Sequence, residues 1–336
     1  MFLAALKRRA SLRWFLARRY SASGQKDEAA GQLLLAVSLD RDPEFAVKKL
    51  LECDPDVKRV SAACDFLVER NLPNEVIFRS LHRLHYGVPE SAPNLMERIA
   101  LAALQFVPDE PVELWIKQKP IDLEQGNQAL ADLCEVLAPL KPFLISGTLL
   151  GVMREGRLLG HDKDIDIGIF GDLDRAGELL KHSGMFKVRD PDSGVLKAVH
   201  RTGTAIDVFL HHVEGETVWH GSAIRRWANS RWWADEESRF SSVDYGGRRY
   251  LIPADWRLYL ADNYGDWETP MPGFDACIEA PNLSPNSPFK MRKHLQRRVL
   301  QSLAAGQPIG KLLGHYIRLS GADRFTEALQ GRIFFR

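Results

Sequence analysis

The residues best suited to chemistry are two carboxylates two positions apart. In Asp164-Ile165-Asp166-Ile167-Gly168-Ile169 polar and apolar residues alternate strictly. Strand side chains alternate between faces, so both aspartates leave one face while the isoleucines enter a core. Like charges that close repel unless a cation stands between them, and hard carboxylate oxygens suit Mg²⁺ or Mn²⁺. The plain structural alternative is an edge strand whose acids discourage aggregation. Asp162 shares the parity just upstream. A second alternating run, Ala205-Ile206-Asp207-Val208-Phe209-Leu210, sets one carboxylate in an otherwise apolar strand, where an unpaired charge is costly to bury. If the two strands are neighbours, Asp207 completes a three-carboxylate cluster able to hold one or two metal ions around a transferring phosphate. If not, it caps a turn at a strand end.

A second feature lies just upstream. Residues 143–145 read as a short buried strand, Ser146-Gly147 as a tight turn, and residues 148–154 as a helix stopped by Gly156. A helix that starts directly after a small-residue turn presents free N–H groups and a positive dipole end, which attract phosphate. Such turns are also common where nothing binds. Ser146, Gly147 and Thr148 are therefore candidate phosphate ligands only in company with the carboxylates.

Elements of both kinds must position these groups. Residues 26–116 read as short helices punctuated by Pro43, Pro55, Pro73 and Pro93, with Asp42 and Asp54 as N-caps. Apolar residues recur at helical steps, as in Val57, Val60, Cys64 and Leu67, or Ile77, Leu81 and Leu84. These are expected to pack as helical hairpins, and the uneven proline spacing shows no fixed repeat. Proline and charge crowd together near residue 118, where a boundary is expected. Asp122 with Gln125 three residues later then starts a helix whose apolar face is Leu130, Leu133 and Leu137. The expected fold is α+β: an all-α helical-hairpin domain over 1–118, a mixed β-sheet domain with flanking helices over 119–285, and a helical extension over 286–336.

Composition sets limits. The chain has 336 residues, and its 45 basic and 44 acidic residues nearly cancel, so overall charge does not call for nucleic acid as a partner. Cys53, Cys64, Cys134 and Cys277 lack the spacing of a zinc site or a disulfide scaffold, and a reducing cytoplasm fits them. No run reaches the ~18 apolar residues of a membrane span. Residues 1–20 carry six basic residues and no acidic one. Leu3, Leu6, Ala10, Trp14 and Ala17 form one stripe there, suited to an anionic membrane surface or to docking on other helices.

The order of these motifs closely resembles the LicD and fukutin family of the nucleotidyltransferase superfamily. The resemblance rests on Ser146-Gly147-Thr148-Leu149-Leu150-Gly151, Arg154, residues 162–169, Ile206-Asp207-Val208-Phe209, and Tyr264-Gly265-Asp266-Trp267 followed by Pro270. It spans residues 122–275, under half of the chain, and implies that the domain over 119–285 is a nucleotidyltransferase-like mixed β-sheet domain. Family members move a phospho-alcohol, such as phosphocholine or ribitol phosphate, from a CDP-linked donor to a glycan, and the resemblance implies that reaction class. By position, Asp164 and Asp166 would bind the metal, and Asp207 would be a third ligand or the base for the acceptor hydroxyl. Ser146, Gly147 and Thr148 would hold donor phosphate, with Arg154 neutralising charge. His161 and Lys163 depart from the LicD branch. Lys163 brings the motif closer to the fukutin branch and puts a choline substrate in doubt.

The resulting expectation is a phosphotransferase using Mg²⁺ or Mn²⁺, a CDP-linked donor and a glycan or lipid-linked sugar acceptor, in the cytoplasm and peripheral to a membrane through residues 1–20. Two other readings keep the same residues: transfer of the nucleotide monophosphate itself, or a helical scaffold with an inactive transferase domain. His200, Arg201, His211, His212, Arg248 and Arg249 are further candidates for lining the pocket. Trp227, Trp232, Trp233 and Trp256 could stack on a ring or simply fill the core.

Overall fold

The computed structural model describes residues 2–40, 42–53, 55–114, 119–189 and 194–333, with residues 2–10 and 331–333 by backbone only. The chain divides into two units, Met1–Ile116 with Pro288–Arg336, and Lys117–Ser287.

The helical unit begins with α1 (Phe2–Ala22), α2 (Lys26–Leu39), α3 (Pro43–Glu52), α4 (Val57–Val68), α5 (Asn74–Tyr86) and α6 (Pro93–Gln105). Asp42 caps α3 by accepting from the Glu44 N–H, ahead of Pro43 in the first turn. Asp54 lies outside the described residues, and the side chain that caps α4 is Asp56, which accepts from the Arg59 N–H. Helical spacing sends Ile77, Phe78, Leu81 and Leu84 of α5 into the interior, where all are buried. In α1, Ala17 is buried, and the Trp14 indole donates to Asp40 at 3.0 Å and lies 5.2 Å from the Phe45 ring. That end of the stripe therefore docks on the unit's own helices, while the side chains of Leu3, Leu6 and Ala10 lie outside the described residues.

The second unit runs α7 (Leu123–Val136), β1 (Phe143–Leu144), α8 (Ser146–Glu155), β2 (Asp164–Ile169), α9 (Leu173–His182), β3 (Phe186–Val188), β4 (Val195–His200), β5 (Ala205–Leu210), β6 (His212–Glu214), β7 (Thr217–Gly221), β8 (Arg225–Ser230), β9 (Phe240–Tyr245), β10 (Arg248–Pro253), α10 (Trp256–Tyr264), α11 (Ala276–Glu279) and β11 (Leu283–Pro285). Seven strands form a mixed sheet in the order β3-β4-β5-β2-β1-β10-β9, and four more form a second sheet, β11-β8-β7-β6. β2 is therefore a central strand, which excludes the edge-strand reading of its acids. Ile165, Ile167 and Ile169 are fully buried, and with Phe143, Leu149, Ile206 and Val208 they form the core under α7, α8 and α9. Each such side chain contributes about 1.5–3 kcal/mol when withdrawn from water.

The chain then enters α12 (Pro288–Ala304), α13 (Gly310–Ser320) and α14 (Arg324–Ile333). Read from the sequence as a separate extension, this segment belongs to the helical unit, with α12 packing on α5 and α6, and α14 on α6. A buried polar chain closes that packing. His85 meets Gln296 at 2.9 Å, Gln296 donates to the Tyr316 hydroxyl at 3.0 Å, and that hydroxyl donates to Asp323. Among the described residues no helix is long and apolar enough to cross a membrane.

Candidate active site

The site is built at one end of β2 and β5. These strands pair in parallel with Asp166 directly opposite Asp207 and Asp164 opposite Ala205. Equal parity then puts all three carboxylates on one face, and one oxygen from each of Asp164, Asp166 and Asp207 lies within 4.8 Å of the others. Burial, then the charges of Asp207 and Asp162, push Asp164 up to about 6. Burial, then the charges of Asp164, Asp162 and Asp207, hold Asp166 well above the usual carboxylate range. Three partly buried oxygens converging without enough positive charge around them are the donor set of a hard divalent cation, so these residues fit the ion that the sequence implied.

α8 supplies the opposing wall. Its first residue, Ser146, has φ 48°, an uncommon left-handed conformation for a residue with a side chain, of the kind that clusters at functional sites. Beneath it lies the buried Tyr259 hydroxyl, turned toward the Ser146 backbone and side chain. Gly147 is needed for another reason, because a Cβ there would collide with Oδ2 of Asp162. Asp162, in the loop before β2, thus sits against the N-terminal turn of α8, where the helix dipole favours negative charge. Thr148 does not line the cavity. It is 2% exposed, and its hydroxyl accepts from the Asp166 N–H at 2.9 Å, fastening α8 to β2. Of the expected phosphate ligands, Ser146, Gly147 and Arg154 face the cavity and Thr148 braces β2.

Above the carboxylates lies a cavity of about 1050 Å³ lined by Ser146, Gly147, Arg154, Asp164, Asp166 and Asp207, and also by Phe209, His220, Trp227, Tyr264, Trp267 and Phe274. That volume matches the upper range of small-molecule sites. Arg154 donates to the Trp267 carbonyl at 3.3 Å and to Glu155 at 3.1 Å, tying α8 to the Tyr264–Pro270 segment. Its charge is therefore partly answered by Glu155.

The other histidines and arginines expected at the pocket are used elsewhere. His200 and Arg201 meet Asp132 at 3.1 Å and 3.5 Å. His212 stacks on Trp219 at 4.1 Å, Arg248 pairs with Glu135, and Arg249 pairs with Asp244. His211 is buried against Phe143 and His220. None of the six lines the cavity. Trp232 and Trp233 belong to the core, and Trp256 packs on Trp267, so of that aromatic set only Trp227 reaches the site.

Lys197 and His220 were not singled out by sequence reasoning. His220 is buried and stacks on Trp227 at 5.4 Å, and burial pushes its ring down to about 3, so it faces the cavity neutral. Lys197 stands opposite Asp207 in the β4–β5 register, with Nζ 2.5 Å from Asp207 Oδ2. Only strand pairing reveals either, because no local pattern links positions 197 and 207.

An α+β unit whose mixed sheet carries an acidic triad facing a helix N-terminus is a domain of nucleotidyltransferase type. Residues 140–255 match the family described as LicD/FKTN/FKRP, nucleotidyltransferase domain. The chain is 26% identical over 195 residues to the ribitol-5-phosphate transferase FKTN of Mus musculus, covering 54% of this chain and 40% of that protein. It is 28% identical over 156 residues to the ribitol-5-phosphate transferase FKTN of Homo sapiens, covering 43% of this chain and 33% of that protein. The chain thus matches two fifths or less of the length of these curated relatives.

Proposed function

We propose that this chain transfers a phospho-alcohol from a CDP-linked donor to a hydroxyl of a glycan or lipid-linked sugar, with Mg²⁺ or Mn²⁺ held by Asp164, Asp166 and Asp207. One observation carries the reading: parallel pairing of β2 and β5 converges the three carboxylates, within 4.8 Å, on a large cavity. The ribitol-5-phosphate transferases it resembles support the phospho-alcohol as the group moved.

In this reaction the acceptor oxygen attacks the alcohol-bearing phosphorus, the bond from that phosphorus to the bridging oxygen breaks, and CMP departs with that oxygen. The acceptor's proton leaves to Asp207 or to water. Little covalent help is needed, since the difficulty lies in alignment and in charge gathering on the phosphate oxygens. A bound divalent ion supplies that neutralisation. Arg154 adds a second positive group on the cavity wall and holds the Tyr264–Pro270 segment through the Trp267 carbonyl. Ser146 and Gly147 offer backbone at the N-terminal turn of α8 beside Asp162. The aromatic part of the cavity, with Trp227, neutral His220 and Phe209, suits a flat ring or a sugar face.

The test is product mass. Purified protein is incubated with CDP-linked alcohols or CTP, a sugar acceptor, and Mn²⁺ or chelator. The proposal expects metal-dependent release of CMP and an acceptor heavier by the phospho-alcohol. An acceptor heavier by CMP would instead establish nucleotide transfer, and failure of every CDP donor to bind or react in metal would overturn both.

A further inference from the structure

The triad is served by a cation of the protein's own. Lys197 on β4 faces Asp207 on β5 in direct register, so both side chains leave the same face of the sheet. Its Nζ lies 2.5 Å from Asp207 Oδ2, and the lysine side chain is 52% exposed while that of Asp207 is 13% exposed. The same Asp207 offers an oxygen to the cluster formed with Asp164 and Asp166. One carboxylate is thus shared between an ammonium and the position where a divalent ion fits.

The charges set the consequence. When all three carboxylates are ionised, as they would be around a metal, they and one ammonium leave two negative charges, which one divalent ion balances. An ion entering within a few ångströms of Nζ meets a like charge, and that repulsion is appreciable even at high effective dielectric. The lysine head on its flexible, half-exposed stem then swings into water, which takes over its solvation, but only by giving up its ion pair with Asp207. We propose that Lys197 is the resident counter-ion of the carboxylate triad, stabilising the metal-free centre and competing with the incoming divalent ion for Asp207. In this role Lys197 is a positioning residue that weakens metal binding while keeping the three acids together in its absence. The inference rests on the reading of Asp164, Asp166 and Asp207 as the metal ligands.

Two measurements on the full chain test it. Mn²⁺ binding is titrated by the paramagnetic resonance of free Mn²⁺, and unfolding is followed in chelator, for the parent, Lys197→Met and Lys197→Arg. Lys197→Met is expected to bind Mn²⁺ at least about tenfold more tightly, from loss of a unit charge near the ion, yet to melt lower in chelator. Lys197→Arg should keep the parent's behaviour in both. A lower melting point with unchanged Mn²⁺ affinity would make Lys197 an ordinary cross-strand ion pair and overturn the proposal. The second measurement needs no variant: reductive methylation read by peptide mass, with and without Mn²⁺. Lys197 should react several-fold faster when Mn²⁺ is present, and an unchanged or slower rate would refute displacement. If the parent binds no Mn²⁺ at all, the failure lies with the assignment of the triad as a metal site; Mn²⁺ binding lost on Asp164→Asn but insensitive to Lys197→Met leaves that assignment intact and removes only the lysine's role.

Discussion

Replacing Asp164 by asparagine should make the metal-free protein more stable while abolishing its response to metal. The carboxyl is pushed from 3.8 up to about 6, by burial first and then by the charges of Asp207 and Asp162. Holding it ionised at neutral pH in the folded state therefore costs up to about 3 kcal/mol, less whatever solvent reaches a partly buried group. The direction with pH follows. Because the folded value lies above the unfolded one, the penalty is fully present above pH 6, shrinks as pH falls through that value, and is gone below the unfolded 3.8. Asp164→Asn should thus melt higher than the parent in chelator at pH 7.5 by a few degrees, at about 2–4 °C per kcal/mol for a unit of this size. The difference should vanish near pH 4, where effects common to both proteins cancel in the comparison. Saturating Mn²⁺ should raise the parent's melting point, as any ligand specific to the folded state does, and leave the variant unmoved. Differential scanning fluorimetry across pH, with chelator and with Mn²⁺, reads all four arms. If Asp164→Asn melts below the parent at pH 7.5 in chelator, the carboxylate is a structural acceptor and the argument from repulsion is wrong.

Further outcomes follow from other contacts. Gly147→Ala should force Asp162 from the N-terminal turn of α8, lowering stability by about 1–3 kcal/mol and weakening Mn²⁺-dependent binding of CDP; equal affinity by calorimetry would deny that this approach matters. His82, His85 and His220 are driven down to about 3, 4 and 3 by burial, so the folded protein resists protons that the unfolded chain accepts. Stability should be complete above pH 6.5 and fall as pH drops toward 4, by about 3 kcal/mol for His85 alone, and His85→Gln should flatten that slope in urea titrations. Leu12 and Phe15 on α1 are 51% and 61% exposed; if the proposed membrane contact exists, Leu12→Glu with Phe15→Glu should shift the protein from vesicles of anionic lipid to the supernatant without altering turnover on a soluble acceptor, and unchanged partitioning would rule the contact out.

The sequence by itself determined the pieces that depend on neighbours along the chain. Strict alternation at 164–169 could only be a strand with its acids on one face, Asp42 and Asp122 announced helix starts because a side-chain acceptor must satisfy free N–H groups, and the order of the motifs carried the family. What it did not determine were relations between distant segments. Whether Asp207 joined Asp164 and Asp166 depended on β2 and β5 pairing in parallel and in that register, and a slip of one residue would have turned Asp207 to the opposite face. Lys197 became visible only because β4 pairs antiparallel on the far side of β5. Tertiary structure alone likewise turned His200 and Arg201 toward Asp132, drew Thr148 away from the cavity to brace β2, and returned the last helices to the first unit. Local periodicity fixes the direction in which a side chain leaves its own element. What it meets there is decided by burial of apolar faces that lie far apart along the chain.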